Sequence, residues 1–139
     1  MSEAVPPLQP VNPSAAPSST RTWEVLCHLS SLVGLLGVPF GNILAPLVVW
    51  LLKRGESVGV DAHGKESLNF HISWSLYWLV AGAIVGILCI IVVGILMIPA
   101  LIIGGIIGWV SMLILTLIGS VKASNGELYR YPLTIRFLK

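Results

Sequence analysis

Two long stretches without a charged side chain dominate the hydropathy pattern, residues 25–52 and residues 72–121, and the second also lacks His, Asn and Gln throughout. A hydrocarbon core of about 30 Å is crossed by about 20 helical residues, whereas the fifty residues of the second stretch would extend about 75 Å as one helix. That stretch must therefore reverse, and Gly94 and Pro99 bracket the predicted turn. The first stretch breaks at Gly37-Val38-Pro39-Phe40-Gly41-Asn42, with Asn42 a predicted N-cap. The pattern predicts an all-α integral membrane four-helix bundle of two hairpins, with helices over about residues 22–36, 43–53, 62–93 and 100–123. About twelve residues in the second helix give about 18 Å, so the first hairpin either crosses a thinned bilayer or dips in and returns. Pro46 is expected in the first turn of that helix, where a missing N–H does little harm.

Within these helices, Val25, Leu29, Leu32, Val33 and Leu36 form an apolar face on the first, opposite Glu24, Cys27, Ser31 and Gly34. Small residues recur on the last two, at Ser75, Gly82 and Gly86 and at Gly104, Gly108, Ser111 and Gly119. In lipid, missing side chains allow the close backbone approach that holds helices together, so these positions predict packing of the third helix on the fourth or a homo-oligomer interface. Asp61 is placed to cap the third helix and Asn125-Gly126 to stop the fourth.

Composition sharpens this picture. At 55% hydrophobic and 10% charged, the 139 residues are too apolar for a soluble fold of that size. All eight Lys and Arg residues lie at the same ends of the two stretches, which places both termini and the 53–66 loop on the cytoplasmic side of a cell inner membrane. Trp23 beside Arg21 and Trp50 beside Lys53 suit that inner interface. Five prolines and four serines in residues 1–20 predict a disordered cytoplasmic tail that lacks the basic start and apolar run of a signal peptide. The net charge of +2 gives no support for nucleic-acid binding, and the lipid bilayer is the expected partner. Cys27 and Cys89 fall at different depths, so no disulfide joins them.

The chain carries no G-x-S-x-G, Walker A or H-E-x-x-H motif, and no catalytic residue, cofactor or metal is assigned from sequence. Three weaker constellations remain. His28 and His71 sit about 9 to 10 Å into the membrane from the same side, a placement that could hold haem or, more simply, make interhelical hydrogen bonds. Asp61, His63 and Glu66 could share a cation or could form a solvated helix start. A polar stripe of Glu66, Asn69, Ser73 and Tyr77 could pack internally, dock a partner helix or line a hydrated vestibule. Together with Asp61, His63 and Lys65 the stripe forms the polar face on which a partner or vestibule is expected. Residues 129–139 mix aromatic and aliphatic side chains with Arg130, Arg136 and Lys139 and could lie along the inner interface.

Four segments add a resemblance: Trp23-Glu24-Val25-Leu26-Cys27-His28-Leu29-Ser30, Pro39-Phe40-Gly41-Asn42-Ile43-Leu44 through Trp50, Asp61-Ala62-His63-Gly64-Lys65-Glu66 with Leu68-Asn69-Phe70, and Asn125-Gly126-Glu127 with Tyr129-Arg130-Tyr131-Pro132. Over about residues 21–138 the chain resembles a bacterial family of small membrane proteins grouped with the twenty-kilodalton Tic subunit of the chloroplast protein translocon. The resemblance implies a four-helix membrane domain and no assigned reaction. Position 71 is His where that family more often has Gln, which weighs against a haem ligand there. The resulting expectation is a non-enzymatic accessory or interaction subunit, with a channel or translocation component and a haem or metal protein as alternatives.

Overall fold

A computed structural model describes residues 18–90 and 92–139. The tail expectation for residues 1–20 thus lies outside the described residues except at its end, where Ser18 already opens a helix. Four α-helices follow in order, α1 (Ser18–Leu29), α2 (Gly41–Lys53), α3 (Val58–Cys89) and α4 (Val93–Ser124), with no strand among the described residues. A 3-10 segment, Ser30–Leu36, prolongs α1.

The first hairpin closes at two left-handed residues, Gly37 at φ 78° and Phe40 at φ 56°. Its arms then cross backbone to backbone: a Cβ on Gly41 would stand 3.0 Å from Gly34 N, and one on Gly34 would stand 3.0 Å from Asn42 N. This crossing moves the start of α2 ahead of the predicted cap. Asn42 lies inside the first turn, behind Phe40, which offers no side-chain cap. Pro46 correspondingly sits one turn deeper than expected, and is buried. At 13 residues, α2 is about 20 Å long and cannot by itself cross about 30 Å of hydrocarbon.

Helix α3 begins at Ser57, whose Oγ accepts a 3.0 Å hydrogen bond from Val60 N–H. The predicted cap, Asp61, sits a turn later, where its Oδ1 accepts from Trp50 Nε1–H at 2.9 Å. Both residues are good capping types, and tertiary bonding of Asp61 decides between them. The second reversal is tighter than the 94–99 region predicted, with Val92 left-handed at φ 67°. Gly94 is required there by close approach, because a Cβ would run into the Cys89 amide. Pro99 falls inside α4. At the far end Gly126, at φ 77°, stops α4 with N–H groups of Gly126 and Glu127 bonded to the Ala123 and Lys122 carbonyls at 2.9 Å, the paired bonds of a Schellman motif.

Among the described residues, only α3 and α4 are long and apolar enough to cross a membrane, each with 32 residues or about 48 Å of helix. Burial is concentrated at their charged end, where α1 and α2 pack beside them around Cys27, Val60, Leu68, Phe70, Ala123 and Tyr131. The halves nearer Gly94 stand as a pair, with Leu79, Ile87, Leu96, Ile103 and Ile107 exposed as lipid-facing side chains would be. Trp50, expected at the interface, is instead buried against α3 because Gly64 leaves room for its ring.

Candidate functional site: a buried polar network under a C-terminal strap

Eleven polar or charged side chains are buried at the charged end, an unusual load in an apolar chain. His28, His63, Glu66, Asn69 and Ser73 among them are tied to one another or to the C-terminal segment. His28 on α1 is fully buried, with Nε2 3.0 Å from His63 Nδ1 on α3 and Nδ1 2.8 Å from the Tyr131 hydroxyl. Burial, then Tyr129 and Glu66 nearby, push the Tyr131 phenol well above its ordinary range, so it remains an O–H donor. The two His28 nitrogens therefore face the Tyr131 hydroxyl and His63 Nδ1, and a neutral ring donates to one of them and accepts from the other. The other His63 nitrogen, Nε2, faces the buried Glu24 side chain at 4.0 Å. Tyr131, His28, His63 and Glu24 thus form one buried row of polar contacts between the C-terminal segment, α1 and α3.

Tyr131 is the hinge between this network and the strap. Its ring stacks on Phe70 at 4.1 Å between centroids and 14° between planes. Its backbone N–H donates to Glu66 Oε1 at 2.8 Å, and Arg136 Nη2 approaches the same oxygen at 3.4 Å. Gly119 on α4 supplies the space, since a Cβ there would run into the Tyr131 hydroxyl and sit 3.2 Å from His28 Nδ1.

Beyond Tyr131 the segment passes out to Leu133, at φ 55°, and runs back along α3. Tyr77 donates to the Leu133 carbonyl at 2.8 Å, and Ser73 Oγ accepts from Ile135 N–H at 2.8 Å. Asn69 Oδ1 accepts from Phe137 N–H at 3.0 Å and Leu138 N–H at 2.8 Å, while its Nδ2 donates to the Leu138 carbonyl at 2.9 Å. An extended strap without a sheet thereby satisfies its backbone on side chains of a helix. Leu133, Ile135 and Phe137 project away, exposed, at the period of two expected of an extended chain.

Glu66, Asn69, Ser73 and Tyr77 are therefore brought together on the chain's own C-terminal segment. His63 turns to His28, while Asp61 pairs with Lys65 at 2.6 Å on the rim. With these partners Asp61, His63 and Glu66 point three ways, and no group of three or more His, Cys, Asp or Glu fit to hold a metal occurs among the described residues. Both His28 nitrogens are engaged, which leaves it no lone pair for haem. His71 makes no hydrogen bond to any described residue, contrary to the interhelical bond expected of it.

The small residues also separate. A Cβ on Gly82 or Gly86 would meet nothing within 4 Å, so neither supports close packing of α3 on α4. Gly104 approaches only Trp78, at 3.8 Å, while Gly108 seats the Trp74 and Trp78 rings. Ser111 bonds the Ile107 carbonyl of its own helix at 2.8 Å. Sequence reasoning missed Glu24, Tyr131 and Arg136 as members of the site. The signal for the strap was the alternation of Tyr129, Tyr131, Leu133, Ile135 and Phe137.

In comparison with known families, the model for MamF/MmsF, described as the magnetosome magnetite crystal formation protein family, matches residues 19–138. No curated protein and no solved structure matches the chain. The family match corrects the translocon-like resemblance. The segments that carried that resemblance are, in the structure, the first-hairpin turn, the α3 start and the strap, elements that build a small helical membrane fold without specifying its task.

Proposed function

The chain belongs to the magnetosome magnetite crystal formation protein family, and from that premise we propose that it is a non-enzymatic membrane subunit of magnetite crystal formation. It acts by holding a membrane partner or a second copy of itself. The observation that carries this reading is the family match across all four helices and the strap. The site supports it chemically, because His28, His63, Glu66 and Tyr131 are bonded to one another or to backbone and form a clamp. Cells of origin lacking the chain are expected to form fewer or misshapen magnetite crystals by electron microscopy, with full recovery on re-expression of the intact chain. An unchanged crystal population would overturn the reading.

In this reading the Lys- and Arg-bearing end lies in the cytoplasm, with Lys122, Arg130, Arg136 and Lys139 near the C-terminus retained there. A reporter fused after Lys139 is expected to be active only in a cytoplasmic form. Activity of an extracytoplasmic reporter at that position would reverse the orientation.

A further inference from the structure

Two adjacent cavities lie on the uncharged side of the network, and a histidine of α3 without a hydrogen-bond partner among the described residues lines the first. The first, about 270 Å³, is lined by Ser31, Asn42, His71 and Thr116 together with apolar side chains. His71 is 1% exposed, and neither ring nitrogen has a hydrogen-bond partner among the described residues. His28 and His63, by contrast, are paired. The second cavity, about 780 Å³, is walled by Trp74, Trp78, Trp109 and aliphatic side chains. Both are bordered by Phe40, Asn42, Trp109 and Met112, so the polar chamber continues into the apolar one. Trp74 follows His71 by one helical turn, and its indole N–H also lacks a partner.

We infer that the protein binds an isoprenoid quinone, with carbonyl oxygens of the head taken by His71 and Trp74 and the hydrocarbon tail in the tryptophan-walled recess. The N–H of a buried neutral imidazole and a buried indole N–H, left unpaired, each call for an acceptor that no described residue supplies. Neither cavity is lined by Lys, Arg, Asp or Glu, so a phosphate headgroup or a cation finds no countercharge and the head must be neutral. A mostly apolar, aromatic wall with a few convergent polar groups is the usual make-up of a small-molecule site. A flat ring with carbonyls on opposite edges meets two donors, and a long isoprenoid chain accounts for the larger apolar volume.

The inference goes beyond the proposed subunit role, and its test reads binding alone, so either can fail without the other. The purified full chain in mild detergent is titrated with a quinone bearing two isoprene units, following tryptophan fluorescence and melting temperature. Saturable quenching at one quinone per chain and a rise in melting temperature are expected. His71→Leu is expected to weaken binding about tenfold or more while folding normally, since it removes an unpartnered polar group. Trp74→Phe, which deletes only the indole N–H, is expected to weaken binding several-fold and serves if His71→Leu does not fold. Gly82→Ala, which lines neither cavity and whose added Cβ meets nothing within 4 Å, keeps wild-type affinity. Unsaturable quenching, equal affinity in a folded His71→Leu or Trp74→Phe protein, or an equal thermal shift from dioleoylglycerol would each overturn the assignment, the last in favour of a glyceride lipid.

Discussion

Replacing Asn69 by Leu is expected to release the end of the C-terminal strap while leaving the helices assembled. The substitution removes three hydrogen bonds at once, two accepted from Phe137 and Leu138 N–H and one donated to the Leu138 carbonyl. Beyond Ile135, whose N–H is held by Ser73, the strap's remaining tie is the 3.4 Å approach of Arg136 to Glu66, because Ile135 and Phe137 turn outward. Leaving buried donors unmet costs about 1–3 kcal/mol, and most of that loss should appear as local opening. Trypsin is expected to cut after Arg136 at least about tenfold faster in Asn69→Leu, a change that about 1.4 kcal/mol of local opening suffices to produce. The far-ultraviolet helical signal should stay constant. Cleavage at the wild-type rate would mean that the strap is held elsewhere, and collapse of the helical signal would mean that Asn69 supports the bundle itself.

The second large effect is expected at Gly64, where Ala should loosen α2 from α3. A Cβ there overlaps the Trp50 side chain at three atoms, with Cγ at 2.6 Å and Cβ at 2.8 Å, so the clash reaches the stem of the side chain and not merely its tip. Rotation of Trp50 would also break its 2.9 Å bond to Asp61. Overpacking of this kind costs about 1–3 kcal/mol, and the lost hydrogen bond adds about 1 kcal/mol. Denaturant unfolding in detergent is expected to show Gly64→Ala destabilised by about 2–4 kcal/mol. Gly82→Ala supplies the internal comparison: nothing stands within 4 Å, and removing a helix-interior glycine should stabilise by up to about 1 kcal/mol. Equal stability of the two variants would refute the steric account of Gly64.

The contrast between those glycines marks what was legible in the chain. Charge-free runs and their basic ends specify α3, α4 and the charged end, because crossing a bilayer constrains composition over twenty residues at a time. Glycine spacing says less: Gly64, outside the predicted set, takes an indole ring, while Gly82 and Gly86, at the expected interval, face open space. What a missing side chain accommodates depends on a neighbour that sequence distance conceals. The polar stripe of Glu66, Asn69, Ser73 and Tyr77 was visible by helical angle, but its occupant lies 56 to 70 residues away and pairs through backbone groups, which carry no sequence signature. His28 and Tyr131 are separated by 103 residues, so their contact was equally hidden. Turn positions failed for a local reason, since Gly94 and Pro99 are each compatible with a turn and with a helix near its start.

The uneven distribution of helices along the membrane normal gives the molecule a taper. Embedded as proposed, the four described helices and the strap would occupy the leaflet at the charged end, and of these α3 and α4 alone would continue into the opposite one. At about 10 Å of diameter per helix, the displaced lipid area in the first leaflet is roughly twice that in the second. A cone of this shape fits most easily where the leaflet at its broad end is convex. A flat membrane crowded with such cones would accumulate bending stress, whereas a small vesicle with the charged ends on its outside would relieve it.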